Sequence, residues 1–224
     1  MKKLFIVAIA MLAGSSSFAQ INSTTGTTPS PLKFGLKAGV NLPKYAFTDD
    51  GDQISDTKTT TNFHVTGYLD APIGSYFSVQ PGVSLQGKGG KFSENETLGT
   101  KSEQNTMWIE VPVNFVGKVP LGIGGSNIFL GAGPYAAFGI SGENKTTVNN
   151  VTSKTDVNFG NDAGDHLKGT DFGLNFIGGV QLNNGFNVGA GYGLGLTDLR
   201  PDSDNADPGK FTNRVWSISV GYSF

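Results

Sequence analysis

The amino-acid sequence predicts an all-β protein, an eight-stranded antiparallel up-and-down transmembrane β-barrel with an apolar, lipid-facing exterior and a lumen of small and polar side chains. Three observations lead to this prediction. Eight segments alternate between apolar and polar or small residues with a period of two, as half-buried strands do. Their connections alternate between short and long, as in outer-membrane barrels. After the N-terminal region, no run of eighteen apolar residues could form a transmembrane helix.

The N-terminal region has the pattern of an export signal. The basic pair Lys2-Lys3 precedes the apolar run Leu4–Ala13, which is too short to span a bilayer as a helix. Small residues then lie one and three positions before Gln20, as at a cleavage site. The sequence therefore predicts a signal peptide at 1–19, a flexible periplasmic N-terminal segment at 20–31 and an outer-membrane β-barrel domain at 32–224.

The alternating segments and their connections give the expected topology. Asn-Gly, which occurs in the third short turn, is a strong hairpin signal. An even number of strands places both chain termini at the end of the barrel that carries the short turns, which we expect to face the periplasm. The strands are expected at 32–42, 62–71, 77–88, 107–118, 127–140, 171–182, 186–199 and 213–224, short turns at 72–75, 120–126 and 183–185, and long extracellular loops at 43–60, 89–105, 141–169 and 200–212.

The choice between a soluble and a membrane barrel depends on which face points outward. An eight-stranded barrel has an interior that a limited number of side chains fills, and large apolar residues on all eight strands would overcrowd it. The run "GAGYGLGL" places a glycine at every second position from Gly189 to Gly195. On a water-exposed face these glycines would pack nothing, whereas in a crowded lumen they make room. The apolar face is therefore expected to contact lipid.

Charged residues of both signs fall on the opposite, small and polar face. Inside a closed barrel such groups are tolerated when they pair. Lys33 and Asp70 would lie near the same rim on adjacent strands, so we expect them to be close. The alternative is that these are solvated surface charges. The polar residues predicted to face the lumen are Lys33, Lys37, His64, Asp70, Lys88, Glu110 and Asp171.

Three prolines conflict with a regular barrel. Pro81, Pro112 and Pro134 fall inside predicted strands, although a closed barrel has no free edge where a missing N–H is harmless. We expect β-bulges or local twist at these sites.

No catalytic or cofactor motif emerges. The glycine run lacks the G-x-G-x-x-G spacing of a dinucleotide loop, and no helix follows it. His64 and His166 are the two histidines, and each could join a hydrolase or acyltransferase site or be an ordinary polar residue. The net charge of −2 gives no reason to expect nucleic-acid binding. We expect no cofactor and no enzymatic activity.

Two loops are rich in aspartate, "TDDGDQISD" and "RPDSDNADPG". Clustered carboxylates can hold calcium, but neither loop has the EF-hand spacing. Solvated acidic loops and cation bridges to lipopolysaccharide are both open interpretations.

Several segments resemble a known family. "FGLKAGVNL", "SVQPGVSLQGKG", "MWIEVPVNF", "FLGAGPYAAFGISG", "DFGLNFIGGVQ" and "GAGYGLGLTDL" resemble the PorT-like outer-membrane β-barrel family of the Bacteroidota, over nearly the whole chain after the signal peptide. The resemblance implies that in-strand prolines are tolerated. The ending "VGYSF" resembles the terminal signal of such barrels, which implies that Tyr222 and Phe224 are recognised by the barrel-assembly machinery.

Three classes of function remain open. The first is a structural or surface-interaction role through four long extracellular loops, and the second is a component of a protein-secretion or envelope-assembly system, as the resemblance implies. The third is a lipid-modifying enzyme or a narrow channel, although side chains fill a lumen of this size. The expected partners are outer-membrane lipids and lipopolysaccharide, the barrel-assembly machinery and secretion-system or envelope proteins, with no nucleic acid.

Overall fold

A computed structural model of the protein describes residues 32–49, 52–95, 100–122, 124–148, 151–162, 164–202 and 209–224. The expected signal peptide and periplasmic segment lie outside the described residues. Within these described ranges, ten strands form a single antiparallel sheet. They are β1 (Lys33–Asp49), β2 (Asp52–Asp56), β3 (Asn62–Pro72), β4 (Phe77–Asn95), β5 (Thr100–Pro120), β6 (Asn127–Val148), β7 (Val151–Asp156), β8 (Thr170–Gln181), β9 (Phe186–Gly195) and β10 (Lys210–Ser223).

Eight of these strands close into a ring. The order is β1, β3, β4, β5, β6, β8, β9, β10, and β10 pairs again with β1 over the register from Gly35↔Ser223 to Thr48↔Lys210. The two remaining strands, β2 and β7, extend hairpins with β1 and β6. The predicted eight-stranded antiparallel barrel is confirmed.

The register around the ring gives the stagger of the barrel. Pairing that starts at Pro72 on β3 passes through every strand of the ring and returns to β3 at Asn62, ten residues away. A stagger of this size in eight strands requires the strands to tilt by about 40° from the barrel axis. Directly paired residues on successive strands therefore follow a helical path around the barrel axis and do not lie at one height along it.

Glycines make the short turns possible. Gly185 in the β8–β9 turn has a φ of 92°, and its N–H donates to the carbonyl oxygen of Leu182 at 3.0 Å. Gly74 in the β3–β4 turn has a φ of 81°. These backbone conformations are open to glycine and strained for other residues, so the turn positions follow from the sequence.

The strands reach further into the polar segments than predicted. β4 and β5 pair as far as Asn95↔Thr100, and β6 pairs with β7 as far as Val148↔Val151, so the expected long loops at 89–105 and 141–169 are in large part hairpin. The expected loop at 43–60 likewise contains the end of β1 and all of β2. The prediction was wrong because polar composition indicates contact with water, while strand pairing depends on backbone hydrogen bonds that Thr, Ser and Lys also permit.

The expected bulges at the prolines are also absent from the described strands. The register is the same on both sides of Pro81, Pro112 and Pro134, and pairing instead lapses for two residues, as at Gly82 and Val83. The register shifts lie elsewhere, one of them between Met107 and Trp108. A proline removes only one backbone N–H donor from the ladder of hydrogen bonds. A short gap in the pairing accommodates this loss, so the strand does not need the extra residue of a β-bulge.

The two faces of the sheet differ as predicted. Large apolar side chains remain exposed on the outer surface in every strand of the ring, for example Leu130 at 69% and Ile218 at 63%. The inner face carries the glycines of β9, polar side chains and several buried aromatic rings. No helix among the described residues has the length and hydropathy needed to cross a bilayer.

Candidate functional site

An ionic cluster occupies the lumen. The Lys88 ammonium on β4 lies 2.9 Å from Asp171 Oδ2 on β8 and 3.1 Å from Glu110 Oε2 on β5. The three residues are each at most 2% exposed. The net charge of the trio is −1. Lys88 and Glu110 lie on the neighbouring strands β4 and β5, whereas Asp171 lies on β8, which is not adjacent to either strand. The Lys88–Asp171 contact therefore crosses the lumen between non-adjacent strands.

Neutral groups complete this cluster. The Tyr135 hydroxyl donates to Asp171 Oδ2 at 3.2 Å, and the Asn213 amide donates to the same oxygen at 2.9 Å. The Asn175 amide donates to Glu110 Oε1 at 2.9 Å. The Lys88 ammonium also lies 4.4 Å from the centre of the Tyr135 ring and 5.5 Å from that of the Trp108 ring, within the range of cation–π attraction. Buried charges without such partners would be costly.

An aromatic cap lies next to the ionic cluster, on the side of the long connections. It consists of the buried residues Tyr45, Trp108, Tyr135, Ala137, Val157, Leu167, Leu199 and Phe211, with Phe47 and Phe159 packed against them. Tyr45 and Phe211 have ring centres 4.4 Å apart, and Trp108 meets Phe159 edge-on at 5.2 Å. Val157, Leu167 and Leu199 come from connections between strands, so these connections fold inward and pack against the rings at this end of the barrel.

A small polar cavity remains in the lumen. Its volume is about 80 Å³, and its lining includes Lys37, His64, Glu110 and Gly191. His64 Nδ1 lies 2.7 Å from Asn41 Oδ1, and Asn41 in turn donates to the Gln86 side chain at 2.8 Å. These contacts make His64 part of a neutral hydrogen-bonded chain. A cavity of this volume holds only a few water molecules.

The rim with the short turns carries a second ion pair. Lys33 lies directly opposite Asp70 in the β1–β3 register, as expected, yet Lys33 is exposed and the ion-pair partner of Asp70 is Lys118 on β5. Asp70 is 2% exposed. Of the seven predicted lumen residues, the structure places Asp70, His64, Lys88, Glu110 and Asp171 in buried positions, Lys37 beside the cavity and Lys33 at the open rim.

The acidic loops do not form a metal site in the part of the chain that the structure describes, where no group of three metal-binding side chains assembles. Asp56 pairs with Lys44, and Asp202 pairs with Lys168 at 2.7 Å. Asp50, Asp204 and Asp207 lie outside the described residues. His166 accepts a hydrogen bond from the backbone N–H of Asn158 at 3.0 Å.

The extended β4–β5 and β6–β7 hairpins form an outer sheet beyond the apolar surface of the barrel. The outer sheet is defined by residues 89–95 and 100–106 of β4 and β5 and residues 141–148 and 151–156 of β6 and β7. Polar cross-strand pairs stabilise it, among them Thr147 with Thr152 at 3.0 Å. Glu143 lies 3.4 Å from Lys145 and 3.2 Å from Lys154, and the hydrogen bond from Lys154 holds the Glu143 pKa below its usual value.

A family model for the outer membrane protein β-barrel domain matches residues 18–200. The chain belongs to this family. It is therefore a β-barrel protein of the bacterial outer membrane, and the apolar exterior is the surface that meets lipid. A comparison with curated proteins finds no match.

Solved structures of other barrels resemble this outer-membrane barrel at low identity. Ail, the attachment invasion locus protein of Yersinia pestis, in complex with the heparin analogue sucrose octasulfate, is 14% identical with a TM-score of 0.42, and the match covers 87% of this chain and 100% of Ail. Neisserial surface protein A is 12% identical with a TM-score of 0.43 and the same coverage. The translocator domain of the autotransporter NalP from Neisseria meningitidis is 12% identical with a TM-score of 0.32, covering 98% of this chain and 97% of that domain.

Sequence reasoning missed the aromatic side of the lumen. Trp108 and Tyr135 are buried on the inner face, where the alternation pattern predicts only polar and small residues. The sequence did contain a signal for the inward position of Trp108. Trp108 is two residues from Glu110 and so shares its inward face, whereas Met107 and Ile109 lie on the outward face. Lys118 and Asn213 were not predicted as site residues. Contacts across the lumen depend on the stagger of the barrel, which the sequence pattern does not give.

Proposed function

We propose that this outer-membrane barrel is a closed surface-interaction protein that acts through its outer sheet and not by passing solutes through its lumen. The observation that carries the proposal is the aromatic cap. Trp108 and Tyr45 are fully buried, and Leu199 from the β9–β10 connection is buried with them. Packed rings and a paired ionic cluster fill the lumen at this level, and paired strands project beyond the lipid-facing surface.

The orientation belongs to the same proposal. Both termini of the barrel and its short turns face the periplasm, and the outer sheet and the remaining long connections face the outside. The number of strands and the alternation of short and long connections support this arrangement. The signal peptide at 1–19 and the segment at 20–31 complete it, since export must precede insertion.

Planar-bilayer recording tests closure of the lumen. The purified full chain is expected to give no defined conductance steps. A variant with Trp108→Ala, Phe159→Ala and Leu199→Ala is expected to give steps, provided that it remains folded by the heat-dependent gel shift of barrels. A matched control carries Trp216→Ala, which removes an exposed ring on the lipid side. Conductance steps from the wild-type chain would overturn the proposal.

Removal of one hairpin tests the role of the outer sheet. Replacing residues 144–155 by Asn-Gly joins Glu143 and Asp156, which are directly paired, without changing the barrel below them. We expect intact cells that carry this variant to lose chemical cross-links to surface partners that wild-type cells form. Cross-links that persist unchanged would remove this hairpin from the proposed interaction surface.

The second candidate is a component of a secretion or envelope-assembly system, as the PorT-like resemblance implies. The supporting observation is the edge of β7, which among the described residues pairs only with β6. All six β7 residues are exposed, and a partner strand could add to this edge. Co-purification of envelope proteins that depends on β7 would favour this candidate over a role at the cell surface.

A further inference from the structure

The ionic cluster in the lumen holds an amine and a carboxyl group in contact with each other and away from water. Lys88 Nζ lies 2.9 Å from Asp171 Oδ2, and Glu110 Oε2 lies 3.1 Å from the same nitrogen. All three side chains are almost completely buried. A lysine amine and an aspartate carboxyl group are the two components of an amide bond. Holding them together in one orientation removes much of the entropic barrier to their reaction.

The two carboxyl oxygens of Asp171 have different surroundings. Oδ2 accepts hydrogen bonds from the Tyr135 hydroxyl at 3.2 Å and from the Asn213 amide at 2.9 Å. Oδ1 is buried and has no hydrogen-bond partner among the residues that the structure describes. An unpaired buried oxygen is costly for a carboxylate, whereas an amide keeps only one oxygen. The site therefore fits an amide whose carbonyl oxygen is Oδ2 and from which Oδ1 has departed.

Glu110 is placed to carry protons in such a reaction. Its Oε1 accepts a hydrogen bond from the Asn175 amide at 2.9 Å, while its Oε2 contacts Lys88 Nζ. Transfer of a proton from the ammonium to Glu110 turns an ion pair into two neutral groups, which is cheaper away from water than in it. The neutral amine that results has the lone pair that nucleophilic attack requires.

We propose that Lys88 and Asp171 condense into an intramolecular amide bond, with Glu110 as the proton carrier. The Lys88 nitrogen attacks Asp171 Cγ and forms the C–N bond. The Tyr135 hydroxyl and the Asn213 amide stabilise the negative charge that develops on Oδ2. The bond from Cγ to Oδ1 then breaks, and Glu110 passes two protons of the original ammonium to Oδ1, which leaves as water. One ammonium and one carboxylate give one amide and one water, so atoms and charge balance without a further reactant.

The surroundings of the pair favour the product. The Tyr135 and Trp108 rings lie 4.4 and 5.5 Å from Lys88 Nζ and exclude water that would hydrolyse the bond. Lys88 and Glu110 also line the lumen cavity of about 80 Å³, which has room for the released water. The reaction removes two buried charges, whose loss of hydration opposes folding. The bond would join β4 to β8 whichever end of the barrel faces the cell exterior.

The ion pair at the rim lacks these features and serves as an internal comparison. Asp70 pairs with Lys118, whose side chain is 20% exposed and therefore in contact with water. Among the described residues, no second carboxylate lies within ion-pair distance of Lys118 to carry its protons. We expect this pair to remain ionic.

Mass spectrometry of the full chain tests the bond. The chain is isolated in unfolded form and then refolded in phosphatidylcholine vesicles. We expect the full mass before refolding and a loss of one water, about 18 Da, afterwards. Trypsin is expected to release from the refolded chain a branched peptide that joins residues 59–91 to residues 169–210, because it does not cleave after an acylated lysine.

Substitutions test the assigned roles in the folded fraction, which is identified by the heat-dependent gel shift. Lys88→Arg is expected to abolish the loss of water. Glu110→Gln removes the proton carrier and is expected to slow this loss about 100-fold or more. Tyr135→Phe keeps the ring but removes one of the two donors to Oδ2, so we expect a slower reaction. The matched control, Lys118→Arg, is expected to leave the rate unchanged.

The mass of the refolded wild-type barrel decides whether the bond exists, even if a variant does not fold. A folded barrel that retains its full mass would overturn the proposal and would leave Lys88 and Asp171 as an ion pair. A mass loss without the branched peptide would also overturn it, since cyclisation of the backbone at Asp50-Gly51 releases one water as well. Rates unchanged by both Glu110→Gln and Tyr135→Phe would overturn the proposed path of the protons and charge.

Discussion

Lys88 on β4 and Asp171 on β8 form a salt bridge of 2.9 Å across the lumen, and both side chains are at most 2% exposed. They are 83 residues apart in the sequence and on non-adjacent strands. The barrel therefore holds its charge cluster only when the ring is closed.

Removal of Lys88 is expected to destabilise the barrel strongly. Lys88→Met leaves Asp171 and Glu110 buried without their cation, and we expect the free energy of unfolding to fall by about 3–5 kcal/mol. Urea unfolding in lipid vesicles measures it. The matched control Lys210→Met, at an exposed lysine, is expected to change it by less than about 0.5 kcal/mol. A loss from Lys88→Met as small as that of the control would show that the cluster does not stabilise the fold.

Asp70 allows two lysines to be compared. Lys118→Met removes its ion-pair partner, whereas Lys33→Met removes the residue directly opposite it in the register. We expect Lys118→Met to lower the free energy of unfolding by about 1–3 kcal/mol because a buried carboxylate loses its partner, and Lys33→Met to have little effect. Equal losses, measured in the same urea assay, would contradict the assignment of the pair.

The glycine run of β9 contains its own control. A Cβ on Gly195 would lie 2.9 Å from the Asn213 carbonyl oxygen, which is backbone and cannot move away, whereas a Cβ on Gly193 would meet its nearest atom at 3.4 Å, an ordinary contact. We expect Gly195→Ala to cost about 1–3 kcal/mol and Gly193→Ala about 0.5 kcal/mol or less in the free energy of unfolding. The reverse order would show that Gly195 is not crowded in the lumen.

The C-terminal aromatic residues are predicted to be needed for assembly in cells. Phe224→Ala is expected to reduce the amount of folded barrel in the outer membrane while the purified chain refolds normally in detergent, because an assembly signal acts before the native contacts form. Phe186→Ala is the matched control, since Phe186 is also exposed at this end and pairs with Tyr222. Equal assembly of the two variants in cells would remove the special role of Phe224.

Much of the barrel could be predicted from alternation alone. Trp216, Ile218 and Val220 alternate with Ser217 and Ser219, so lipid-facing and lumen-facing positions follow from the period of two once the apolar face is assigned outward. The glycines of β9 face inward as expected, and Gly191 lines the lumen cavity. The ends of the strands could not be predicted from alternation. Polar residues such as Thr147 and Thr152 are compatible both with a paired hairpin, where they hydrogen-bond to each other, and with a solvated loop.

The partners within the lumen could be predicted only in part. Lys88, Glu110 and Asp171 were assigned to the inner face from alternation. Their contact across the lumen depends on the ten-residue stagger of the ring, which cannot be predicted from any local sequence pattern. For the same reason Asp70 was matched to Lys33 by adjacency, while its ion pair is with Lys118, two strands further around the ring.

The two tryptophans test the central claim, an outward apolar face around a sealed lumen, most directly. Trp216 is exposed on the outer surface, and Trp108 is fully buried in the cap. In vesicles of lipids brominated near the headgroup end of their acyl chains, the fluorescence of the Trp108→Phe variant, which retains Trp216, is predicted to be strongly quenched, and that of the Trp216→Phe variant only weakly. Strong quenching of Trp108 together with weak quenching of Trp216 would contradict the account.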